Sequence, residues 1–336
     1  MRDVALELRR RGHKPLVYSP RLGVVAEEIH SAGIPVVDDP RLIASPPDLI
    51  HGQHHLEAMT ALAHFPGVPA VCFCHGWIPW VETPPSHPRI LGYVVVSEIL
   101  RDSLICGYGI PEDKVTIISN FVDTARFRPR GPLPNSPRKA LLFDNLATEE
   151  NYGRTIRQAC SSLGITLDIA GFSNGNPAMR PETLLGCYDL VFARGRAALE
   201  SLASGVAVIC CGPEGAGPMV SLRNVEQLRR QNFGRAILEH AITVDWACER
   251  IREYDPADAM AVSRLIRERM SLTATVDRII EVYQAIVESW ETRRLQGPAS
   301  EMMTAESGNR LGLVGEPPRN RTWNLLIKSQ LLCQLS

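Results

Sequence analysis

The residues best placed by type and spacing to do chemistry lie in YDLVFARGRAALESLASGVAVICCG, residues 188–212. A strand-like run ends near Ala193, and Gly195 permits a tight turn between Arg194 and Arg196. A helix starting near Arg196 would point its first backbone amides, around Gly195 to Ala198, outward, where they favour an anion such as a phosphate. The small side chains of Ala197 and Ala198 keep that approach open. Glu200 follows one turn later, a lone acid among Ala197, Ala198, Leu199, Leu202 and Ala203. Two readings of it stand side by side. It accepts hydrogen bonds from the vicinal hydroxyls of a ribose, or it makes an i,i+4 ion pair with Arg196 on an exposed helix face.

Histidines form a second set. His51, His54 and His55 follow the run DLIH and face either a ligand or solvent; their spacing is a weak pattern for a metal. His75 ends the run VPAVCFC and has the better position for a polar role at a strand end. The loop GWIPWVETPPSHP, residues 76–88, carries Trp77, Trp80 and four prolines, as a binding flap or a stiff packed loop would. GPEGAGPMV, residues 212–220, follows a strand but lacks the glycine-lysine spacing of a phosphate loop. No Asp-x-Asp clamp for a metal-bound nucleotide occurs in the chain.

Positioning these residues requires sheets. In the first half, apolar runs at 15–19, 34–37, 48–51, 68–74, 91–97 and 114–119 alternate with helical segments at 2–11, 24–32, 55–65 and 98–107. Several runs are apolar throughout, which suits a parallel sheet covered on both faces. The alternation predicts a doubly wound α/β domain over 1–125. The proline- and arginine-rich segment RFRPRGPLPNSPRK reads as a linker, 126–138. Alternation resumes at 139–143, 150–163, 166–171, 188–193 and 206–211, giving a second doubly wound domain, 139–271. It passes into mostly helical sequence in which Asp255 and Pro256 cap a helix. A helix over 272–291 follows. Residues 292–336 show no clear period and are expected to be disordered and without function. A domain of this kind ordinarily opens on a central strand; here a helix ending at Gly12 comes first, so the first domain is expected to lack its initial strand.

Bulk properties narrow the partners. The 336 residues suffice for about two domains. A hydrophobic content of 45%, a charged content of 22% and a formal charge of −1 give no basic field for nucleic acid and at most peripheral contact with a membrane. Nine cysteines without zinc-finger spacing read as buried thiols in a reducing, cytoplasmic setting.

Two longer blocks carry a family resemblance. VVVSEILRDSLICGYGIPEDKVTIISNFVDTARFRP, residues 94–129, is similar to a segment of the GT-B glycosyltransferases of the family 4 type. There a strand ending in Val-Ser is followed by a helix, Gly-Ile-Pro, Lys-Val, a strand, Asn-x-Val-Asp and Phe-x-Pro. RAALESLASGVAVI resembles that family's Glu-Ala-Met-Ala-x-Gly-x-Pro-Val-Ile block, and PDLIHGQHH and VCFCHGWIPW stand where its first-domain motifs do. The resemblance covers roughly residues 1–290. It implies two Rossmann-like domains facing an interdomain cleft. It also implies transfer of a hexosyl group from a nucleotide-diphosphate sugar to a hydroxyl of a glycan, lipid-linked or small-molecule acceptor. Configuration would be retained, with no cofactor and no required metal.

On this resemblance Glu200 holds the donor ribose and Gly195 to Ala198 meet the diphosphate, with Asn145 and Gly171 beside the nucleotide. His75 is the catalytic-side candidate; His51, His54 and Trp77 line the acceptor side. The chain also departs from the family. Phe192 replaces its first glutamate, and Asn145 and Asn151 replace the cations that neutralise the diphosphate; Arg194 and Arg196 are the substitutes at hand. A catalytically inactive relative that binds nucleotide-sugar, glycan or a partner protein is therefore a second reading. A nucleotide-sugar epimerase is a third, disfavoured by the Asn-x-Val-Asp block.

Overall fold

The computed structural model describes residues 1–76, 80–296 and 324–328, the last five as backbone. Two compact units divide the chain. Among the described residues, the first takes those within 1–94 together with 110–116, 278–296 and 324–328, and the second takes 95–109 and 117–277.

In the first unit the helices are α1 (Arg2–Arg10), α2 (Val24–Ser31) and α3 (His55–His64); α4 (Glu98–Asp102) belongs to the second unit. Gly12 ends the first helical stretch at φ +87°, a conformation glycine adopts without steric cost. The strands are β1 (Lys14–Tyr18), β2 (Val36–Val37), β3 (Leu49–Gly52), β4 (Ala70–Cys74), β5 (Ile90–Val95) and β6 (Val115–Ile117). β3, β4 and β5 are buried along their whole length, which explains their unbroken apolar sequence.

The second unit contains β7 (Lys139–Phe143), α5 (Tyr152–Ser162), β8 (Thr166–Ala170), α6 (Pro181–Leu184), β9 (Leu190–Ala193), α7 (Gly195–Ala203), β10 (Ala207–Gly212) and β11 (Gly215–Met219). Helices α8 (Val225–Arg230), α9 (Val244–Arg252) and α10 (Pro256–Arg269) follow, and Asp255 accepts from the amides of Ala257 and Asp258, as its capping role requires. Its sheet runs β11-β10-β9-β7-β8, parallel except for the β10–β11 pair. β11 falls in the glycine- and proline-rich stretch 212–220; as an edge strand it tolerates Pro218. The last long helix, α11 (Leu272–Gln296), has Tyr283, Ile286 and Val287 buried within the first unit.

Three expectations change. The segment 126–138, expected as a linker, packs on the second unit: Phe127 and Leu133 are buried there, and Arg130 pairs with Asp189 at 2.9 Å. Prolines keep it out of the sheet without keeping it off the core. Residues 292–296 continue α11. Residues 324–328 form a strand, β12 (Asn324–Lys328). β12 lies inside the first sheet, whose order is β2-β1-β12-β3-β4-β5-β6, and pairs in parallel with β1 and β3. The first domain thus has a strand in the place expected to be missing, supplied from the far end of the chain.

Candidate functional site

Parallel strands deliver their loops to one edge of a sheet, the edge at which open α/β folds bind ligands. In the second unit, β7, β8, β9 and β10 bring Asp144, Gly171, Arg194 and Gly212 there. A side chain at Gly171 would place its Cβ 2.1 Å from the Asp144 carbonyl oxygen, so this glycine seats two strand ends against each other. An added Cβ would meet the protein's own backbone at Asp144 and Asn145, which by itself requires glycine at this strand end. Asn145 is exposed and accepts from the Ser173 amide at 2.9 Å through its carbonyl.

Arg194 lies over Gly212, where an added Cβ would come within 2.4 Å of its Cδ. Its Nε donates to Asp144 Oδ2 at 3.1 Å and its Nη1 to Glu214 Oε1 at 2.9 Å. Arg196 Nε donates to Glu200 Oε1 at 2.8 Å, and its guanidinium sits 5.7 Å from the Phe121 ring centroid. Of the two readings of Glu200, the i,i+4 pair is therefore present, although the carboxylate is buried and not on an open face. Three carboxylates outnumber two guanidiniums around the start of α7. Both arginines expected as substitute cations are thus paired with carboxylates.

The helix start is also partly committed. Gly195, at φ +54°, donates its amide to the Phe233 carbonyl at 2.7 Å, and the Ala198 amide reaches Arg194 at 3.3 Å. Ala198 is fully buried in the core and Ala197 is packed against the same cluster. Phe192 is fully buried in β9, a core residue where the resembled family has an acid. Asp144, which completes the constellation, was not among the site residues expected from sequence; the available signal was its place directly after β7. Glu214 lies two residues beyond β10, in the stretch whose strand-end location allows a role near a transferred sugar.

In the first unit the corresponding edge carries His51, Gln53 and His75. His51 is buried, not solvent-facing: it stacks on Phe73 at 3.8 Å, and its Nδ1 lies 2.5 Å from Tyr283 Oη. Burial, followed by the positive charges of His75 and the chain's amino group, holds it well below its ordinary pKa and keeps it neutral. His75 is exposed, with Nε2 2.9 Å from Gln53 Nε2. His54 sits at the start of α3 without capping it, and His55 Nδ1 is 3.1 Å from the Thr83 carbonyl. Trp77 lies outside the described residues. Glu82, in the same loop, has its Oε2 buried without a hydrogen-bond partner beside Gly76, and burial raises its pKa.

Among the described residues, no group of three or more His, Cys, Asp or Glu is placed to hold a metal, and no helix is long and apolar enough to cross a membrane. Cys72, Cys74, Cys210 and Cys211 are buried free thiols.

Two α/β units, each built on a largely parallel sheet, define the GT-B fold class, and solved structures share that fold. A glycosyltransferase from Rickettsia africae has a TM-score of 0.57 at 18% identity, covering 85% of this chain and 93% of its own. HepE of Anabaena, solved with UDP and glucose, has a TM-score of 0.56 at 15% identity, covering 84% and 94%. The glycotransferase of kitacinnamycin has a TM-score of 0.51 at 16% identity, covering 83% and 94%. Residues 1–126 match Glycosyltransferase Family 4, so the family likeness expected from sequence holds there. No curated protein matches the chain by sequence.

Proposed function

We propose that the chain is a glycosyltransferase that moves a hexosyl group from a nucleotide-diphosphate sugar to a hydroxyl acceptor, with retention. The observation that carries the reading is the gathering of Asp144, Arg194, Arg196, Glu200 and Glu214 around the start of α7. They stand on the strand-end edge of a fold shared with HepE, which was solved with UDP and glucose. Arg194 and Arg196 are the cations for the diphosphate. Each must exchange a carboxylate for a phosphate oxygen as the donor enters, and a guanidinium is suited to both partners. Glu200, released from Arg196, turns to the ribose hydroxyls. His75, exposed at the end of β4, is the first-unit candidate that faces the transferred sugar, and the acceptor is a glycan, a lipid-linked sugar or a small molecule. Eight free cysteines among the described residues suit a cytoplasmic setting.

A second reading is favoured by one specific observation. The carboxylates already neutralise Arg194, and Phe192 fills the core where the resembled family has a glutamate. That reading is a relative that binds nucleotide-sugar without transferring it. Calorimetry with UDP, GDP and their glucose, N-acetylglucosamine and mannose conjugates, followed by assay of nucleotide release, separates the two. Binding with release supports the transferase, and binding alone supports the inactive relative. No binding of any nucleotide overturns both.

A further inference from the structure

The first unit's sheet is continuous only because β12 lies in its middle. On one side, Val17 donates to the Pro35 carbonyl in the direction of β2. Because successive residues of a strand turn their peptide groups to opposite sides, Leu16 and Tyr18 face the other way, toward β12. On the other side, Ile50 donates to the Pro69 carbonyl toward β4, so Leu49 and His51 face β12. The pairing runs over five residues of β1, Lys14–Tyr18 against Asn324–Lys328, and three of β3, Leu49–His51 against Leu325–Ile327. Val17, Leu49, Ile50 and His51 are all essentially excluded from solvent. Two inward-facing rows of peptide groups would stand unpaired in the centre of a covered sheet if the strand were withdrawn.

We infer that the space between β1 and β3 is a binding site for an extended segment in parallel register, that residues 324–328 of the same chain occupy it, and that the first unit depends on that occupant to close. The recognition is main-chain pairing along both borders, the chemistry of strand addition, at a central position and not at an edge. Between the end of α11 at Gln296 and Asn324 the sequence leaves 27 residues. A covalent tether of that length holds its end at an effective concentration on the order of millimolar. The chain's own segment therefore wins against any free competitor at micromolar concentration.

Hydrogen exchange on the full-length protein tests this directly. The amides of Leu325–Ile327 should exchange at least about a hundredfold more slowly than in an unstructured peptide. Exchange at the unstructured rate overturns the inference. Leu326→Pro removes an amide from the middle of the strand, opposite Leu16 and Ile50. In that full-length variant, exchange at Tyr18 and His51 should rise while β7 and β9 keep their protection. Unchanged protection at Tyr18 and His51 likewise overturns it. A synthetic peptide of residues 320–332 should bind the Leu326→Pro protein and restore protection at those two amides, and should leave the wild type untouched. Equal uptake by both proteins would mean that the site is not filled from within.

Discussion

His51 Nδ1 and Tyr283 Oη meet at 2.5 Å, joining β3 to α11 across 232 residues of sequence. The contact ties the end of the first sheet to a helix that leaves the second unit, and it does so through a neutral imidazole.

That neutrality sets a pH dependence. The folded pKa of His51 is depressed, so below the ordinary value near 6.5 the unfolded chain binds a proton that the folded chain does not. Stability of the first unit should be complete above about pH 6.5 and fall as the pH drops below it, by at most ~1.4 kcal/mol per pH unit. A His51→Phe, Tyr283→Phe double variant removes both polar partners and should flatten the curve between pH 7.5 and 5. Thermal unfolding across that range is the measurement, and an unchanged slope would remove His51 as its source.

Donor binding should respond to the charges around Arg194. Arg194→Ala should weaken binding of a UDP- or GDP-sugar by about tenfold or more, because a charge-assisted contact to the diphosphate is lost. Glu214→Gln frees the same guanidinium from one carboxylate and should tighten binding, on the order of fivefold, the size of a partly exposed ion pair. Opposite signs in calorimetry are the expected result; equal losses would make the pair purely structural.

Gly171 offers a test that needs no ligand. Alanine there drives a methyl group into the Asp144 carbonyl, and such overpacking costs roughly 1–3 kcal/mol. Gly131→Ala, which meets nothing within 4 Å, should be close to neutral. Denaturant titration of both variants makes the comparison.

The outer edge of β8 is closed by side chains. Arg157 Nη1 donates to the Leu167 carbonyl at 2.6 Å, and Asn174 and Asn176 both donate to that of Ile169 at 3.2 Å. Replacing both asparagines with alanine leaves the Ile169 carbonyl unpartnered. Stability should fall by about 1–2 kcal/mol and self-association on sizing should rise, since a bare edge invites a second strand.

Much of this architecture was legible because local pattern and local structure agree. The all-apolar runs at β4 and β10 are buried strands, and Asp255 caps where its neighbours say it should. What escaped depends on distant partners. His51 looks like a ligand histidine until Phe73 and Tyr283 enclose it. β12 is five residues whose strand character exists only between β1 and β3. Gly171 was singled out for a close approach, and the Asp144 carbonyl is one object approached that local sequence does not reveal. Glu200 admitted two partners from sequence, and only packing and proximity brought Arg196 to it.

Building the first unit from residues at both ends of the chain has a cost in time. Residues 95–277 contain the whole of the second unit, so a ribosome can release that unit for folding while the first sheet still lacks its middle. At ordinary translation speeds the nascent β1 and β3 wait on the order of 10 to 50 s for residue 328 to appear. Throughout that interval their borders are open to any neighbouring polypeptide. Yield in a cell should therefore depend on chaperone supply more steeply than the finished molecule's stability would indicate.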